Sequence, residues 1–108
     1  MAFDFDKIFG DALQAGLTAA KPGGRAAEDW LRESANANLE TLRAIAEGVA
    51  TQEISKATGE MLLKESARAL KSEAAAAAVI IKAAAQAAVN AFADSLFAAL
   101  KAALKLAL

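Results

Sequence analysis

The side chains able to do chemistry in this sequence are carboxylates, ammonium and guanidinium groups and a few hydroxyls; there is no histidine and no cysteine. Imidazole acid–base catalysis, thiolate nucleophiles, disulfides and His- or Cys-based metal sites are thereby excluded. The carboxylates recur with basic partners at helix-surface spacing, as in Glu28 with Arg32 and Glu40 with Arg43. That is the pattern of ion pairs on a solvated face rather than of paired catalytic acids. A di-iron bundle site would need Glu-x-x-His motifs, and none is present. Thr18-x-x-Lys21 has the spacing of a hydroxyl–lysine dyad but runs into a turn without supporting residues. Lys21 is better read as a cation at a helix C-terminus. Gly23-Gly24 lacks the Lys-Ser/Thr of a phosphate loop. Trp30 is a stacking surface for a base, but it stands beside an apolar stripe and no helix has a one-sided basic face. The reading is a protein that is not an enzyme, with no catalytic residue, no cofactor, no metal and no nucleic-acid surface.

The elements that position these residues are helices. With 108 residues the chain has room for one small domain. Hydrophobic residues make up 56%, which argues against disorder, but much of that is alanine. Alanine favours helix and buries little surface. With five Phe, one Trp and no Tyr as large anchors, a monomer has little material for a thick core, and this predicts a homo-oligomer. Net charge is −1, so no overall field favours nucleic acid. Residues 1–73 hold nine basic and twelve acidic groups, whereas residues 74–108 hold Lys82, Lys101 and Lys105 against Asp94 alone. The acidic, mixed N-terminus has neither a basic n-region nor an apolar h-region, and the expected location is cytoplasmic.

Three helices are expected. The first covers about residues 4–20: Phe5, Phe9, Leu13 and Leu17 recur every four residues with Ile8 beside them, and Asp4 or Asp6 caps the start. Gly10 and Gly16 lower its propensity by about 1 kcal/mol each, or let another backbone come close. Lys21-Pro22-Gly23-Gly24 is the clearest break, and Pro22, Gly23 and Gly24 form the turn of a helical hairpin. The second helix covers about residues 25–47, with Leu31, Ala35, Leu39, Leu42, Ala46 and Val49 as its stripe and Trp30 adjacent. Asn36 and Asn38 are register-fixing residues if buried. Gly48 ends this helix and Thr51 caps the next, a continuous helix through Gly48 being the alternative.

From about residue 52 to residue 108 the sequence reads as one long, Ala-rich helix of about 80 Å, with Thr58-Gly59 and Ser72 as weak points. Leu63, Ala67, Leu70, Ala74, Ala77, Ile81, Ala84 and Ala88 alternate in steps of four and three, a heptad-like seam of small residues. Phe92, Leu96, Leu100, Leu104 and Leu108 then recur every four residues. Helix two is too short to cover this last face, so a partner is expected there.

Residues 74–108 contain 17 alanines and four charges. A simple membrane span is nonetheless not predicted, because Lys82, Gln86, Asn90 and Asp94 recur through its middle and a central Lys or Asp costs about 2.5–3.5 kcal/mol. Residues 99–107 are similar to synthetic lysine–leucine–alanine amphipathic peptides that bind membranes, which implies a stretch able to lie on a bilayer surface; a buried bundle helix gives the same pattern.

The expected architecture is all-α: a helical hairpin plus a long Ala-rich C-terminal helix, assembled as an oligomeric antiparallel helix bundle. The expected helix–helix interface is Leu63, Leu70, Ala74, Ala77, Ile81, Ala84, Ala88, Phe92, Leu96, Leu100 and Leu104. The expected function is self-assembly or protein interaction through helices. The alternative is binding to a membrane or lipid surface, with a protein partner or an anionic membrane meeting residues 92–108.

Overall fold

Asp4 starts the first helix: its side chain accepts a hydrogen bond from the Lys7 backbone N–H at 3.1 Å, satisfying one of the donors a helix start leaves free. In the computed structural model, which describes residues 3–107, the chain is all-helical and the described residues contain no strand. Four α-helices follow one another: α1 (Phe5–Ala20), α2 (Gly24–Ala50), α3 (Lys56–Ala75) and α4 (Lys82–Leu104). A single 3-10 turn, Lys21–Gly23, joins α1 to α2, with Pro22 in its first positions and Gly24 at a φ of 73° that suits glycine.

Two expected boundaries move. Gly48 does not end α2, which runs on to Ala50. Thr51 closes this helix instead of starting the next: its hydroxyl donates to the carbonyls of Glu47 and Gly48. The true cap of α3 is Ser55, whose Oγ accepts from the Thr58 N–H at 3.2 Å. Gly48 is needed for closeness rather than for a break, because a Cβ there would lie 2.5 Å from Ile54 Cδ1 as the loop folds back over it.

The single helix expected over residues 52–108 is two helices. α3 passes through Gly59 and Ser72 and stops at Ala75, and residues 76–81 form a turn before α4. No Gly or Pro ends a helix in this alanine-rich stretch, and Val79-Ile80-Ile81 lowers helix propensity only slightly; packing decides. The reversal lets α4 lie against α1, α2 and α3, and one continuous core joins residues of all four helices.

The contacts between helices occur in a regular order. Asp6 of α1 meets Arg43 of α2, and Gly16 meets Leu31. Ser34 of α2 bonds Glu73 of α3, while Val49 lies on Gly59. At the same end of α3 as Gly59, Glu60 accepts from the Ala107 N–H at 2.7 Å. The most extensive seam joins α1 to α4. There Phe9 meets Phe92 edge-on with ring centroids 5.5 Å apart. A Cβ on Gly16 would lie 3.1 Å from both the Ala88 carbonyl oxygen and Phe92 Cβ, so the missing side chain sets how near these helices come.

The row expected to need a partner is covered within the chain. Phe92, Leu96, Leu100 and Leu104 are all buried, and Leu106 beyond them is buried too. Lys105 adopts a left-handed conformation (φ 57°), and the Leu106 N–H returns to the Lys101 carbonyl at 3.2 Å. This helix end tucks Leu106 back onto the core. Leu108, the last member of the expected row, lies outside the described residues.

Candidate interaction surface

Three large hydrophobic side chains stay exposed among the described residues: Met61 on α3, and Val79 and Ile80 between α3 and α4. Met61 is half exposed on a helix face. The other two are nearly bare, at 87% and 90% of their full surface. They are the central pair of a hydrogen-bonded turn, in which the Ile81 N–H donates to the Ala78 carbonyl at 3.0 Å. The Lys82 N–H donates to the Val79 carbonyl at 3.4 Å. Ile81 is buried in the core and anchors the turn from beneath. Turn centres ordinarily hold Gly, Asn, Asp or Pro, for conformational reasons and because water is there. Two β-branched apolar residues in these positions form a projecting apolar tip.

The surroundings of the tip are basic. A Cβ on Gly23 would lie 2.5 Å from the Ala84 Cβ, so the Lys21–Gly23 turn sits beside the first turn of α4. This brings Lys21, Arg25 and Lys82 to the same end of the molecule as Val79 and Ile80. No acidic residue occurs between Asp11 and Glu28 or between Glu73 and Asp94. Of the carboxylates next along the chain, Glu73 accepts from Ser34 Oγ at 2.5 Å, Asp29 faces Arg32 at 3.9 Å, and Glu28, a turn beyond Arg25, enters no ion pair among the described residues. Among the described residues Lys21, Arg25 and Lys82 enter no ion pair.

No family model, curated protein or solved structure matches the chain.

The residues expected on a helix–helix interface are distributed through the core. Leu63, Leu70, Ala74, Ile81, Ala88, Phe92, Leu96, Leu100 and Leu104 are buried. Ala77 and Ala84 are half-buried against that core. On α4 the buried row runs through Ala85, Ala88, Val89 and Phe92, one position beyond the expected Ala84. Of the turn residues, Pro22 and Gly24 are exposed and Gly23 is half-buried. Trp30 packs against the core, Asn36 is exposed, and Asn38 donates to the Ser34 carbonyl of its own helix.

The ion pairs are surface features. Arg43 bridges Asp6 at 2.5 Å and Glu40 at 2.6 Å, tying α1 to α2. Its hydrogen bond to Asp6 and the two carboxylate charges raise the guanidinium pKa further above its ordinary value. Glu28 and Arg32 do not pair; Arg32 takes Asp29 instead. α4 is long and apolar enough to cross a membrane by length and composition, and it is also the helix that the other three pack around.

The tip at residues 79–80 was missed by sequence reasoning because the surrounding steps of four and three continue through it. The available signal was Val79-Ile80-Ile81 itself, three adjacent β-branched residues in an alanine tract, of which no single helix face takes all.

Proposed function

We propose that this chain is a non-enzymatic helical interaction module. In this reading it is an antiparallel bundle that keeps the α4 leucines for its own core and meets its partner at the corner formed by residues 76–82. The observation that carries the reading is the near-complete exposure of Val79 and Ile80, where the other large apolar side chains among the described residues, Met61 excepted, are buried or partly buried. The order of contacts along each helix pair supports the antiparallel arrangement. A cytoplasmic protein associating peripherally with a membrane or with other chains fits this surface. The reading places the partner here rather than on residues 92–108, where Phe92, Leu96, Leu100 and Leu104 are buried.

The test is association of wild type and the Val79→Ser/Ile80→Ser double variant. It is measured in buffer by analytical ultracentrifugation and with liposomes by sedimentation. Wild type is expected to associate in one of these settings, and the variant to lose that association with its helical circular dichroism unchanged. A wild type that stays monomeric in buffer and stays in the supernatant with liposomes overturns the reading.

A further inference from the structure

We infer that the occupant of this corner is the surface of an anionic lipid bilayer, into which Val79 and Ile80 insert while Lys21, Arg25 and Lys82 lie against the headgroups. The inference rests on the interaction reading above and names its partner. Shape is the first argument. The apolar surface is a convex tip of two side chains, whereas a specific protein interface needs about 1,000 Å² or more of buried surface and a complementary form. A fluid interface closes around a projecting tip without a prepared pocket.

Charge is the second argument. Lys21, Arg25 and Lys82 share the end of the molecule that carries the tip, without carboxylate partners among the described residues. In a twofold contact between two copies they would face their own equivalents, and like charges would oppose closure. Anionic headgroups instead attract juxtaposed Lys and Arg.

Backbone chemistry is the third. Unpaired peptide groups are costly among acyl chains. In this turn the Ala78 and Val79 carbonyls accept from the Ile81 and Lys82 N–H groups, so entry of the tip exposes less unpaired backbone than an open loop would. Buried Ile81 holds the turn on the core, so insertion leaves α4 in place.

The experiment is co-sedimentation of the full chain with vesicles of phosphatidylcholine alone and of phosphatidylcholine mixed with phosphatidylglycerol, at low and high salt. Wild type is expected to pellet with the mixed vesicles at low salt, and much less with neutral vesicles or at high salt. Val79→Ser/Ile80→Ser is expected to weaken this binding by about tenfold or more. Val79→Leu/Ile80→Leu is expected to keep it, and Lys21→Gln/Lys82→Gln to lower it only on the anionic vesicles. Equal binding by wild type and the Ser variant overturns the inference, because that is what an opened chain exposing α4 would give. If wild type ignores both vesicle types but self-associates in buffer through Val79 and Ile80, the lipid assignment falls and the interaction reading stands. Absence of both kinds of association removes both.

Discussion

The C-terminal leucines of α4 and the turn at Val79-Ile80 are both apolar and both neighbour lysines, yet one is wholly inside the molecule and the other almost wholly outside. Spacing separates them. Leu96, Leu100 and Leu104 recur every four residues on one side of a helix, so packed neighbours can cover the entire row. Val79 and Ile80 are adjacent on a tight turn, and no element lies over them. A longer apolar row is therefore not the stickier one. Exposure follows from whether the chain's own helices have the geometry to reach the row.

The sharpest way to break this comparison is to weaken both regions and measure folding. Leu100→Ala removes a fully buried core side chain of α4, and is expected to cost about 2–5 kcal/mol in urea denaturation. If Leu100 were instead a docking residue held out for a partner, stability would stay flat and association would fall.

A smaller loss, about 1–3 kcal/mol, is expected for Gly16→Ala, because the added Cβ would lie 2.7 Å from Leu31 Cδ2 and the seam to α4 would have to open. Its counterpart in the same helix has the opposite sign. Gly10 is exposed with no neighbour within 4 Å of an added Cβ, so Gly10→Ala is expected to stabilise by about 0.5–1 kcal/mol through helix propensity. Equal effects at the two glycines in thermal melts would mean that α1 does not approach α4 as closely as described.

The smallest effect belongs to the tip. Val79→Ser/Ile80→Ser is expected to change unfolding free energy by no more than about 0.5 kcal/mol, since neither side chain packs on the core. A melt lowered as much as that of Leu100→Ala would show that the turn is structural.

These contrasts also mark what the sequence could convey. Periodicity reports which face of a helix is apolar, and so it found α1, the turn at Pro22 and a row of residues, from Leu63 through Leu70 to Phe92 and Leu100, that lie buried. It says nothing of what covers a face, and the steps from Ala74 through Ala77 to Ile81 and Ala84 continue across the reversal at residues 76–81. No Gly or Pro marks that reversal. The chain turns there because α4 gains cover from three helices, a tertiary term absent from any local window. Near Gly48 the error ran the other way: a glycine that resembles a stop signal is kept small so that Ile54 can lie against it. The expected contact row was correspondingly placed on α4 residues that a long uninterrupted helix would have left bare and that the neighbouring helices cover.

The extensive seam between α1 and α4 has a consequence for the order in which the molecule is made. Phe9 and Gly16 emerge from the ribosome well before Phe92 and Ala88, which lie against them. Closing that seam brings together positions more than seventy residues apart, the slow kind of contact, whereas α1 with α2, α2 with α3 and α3 with α4 are sequential neighbours. During synthesis α1 therefore carries uncovered aromatic rings on a helix that is already able to form. The nascent protein is at its most vulnerable to aggregation or chaperone capture in the interval before α4 arrives.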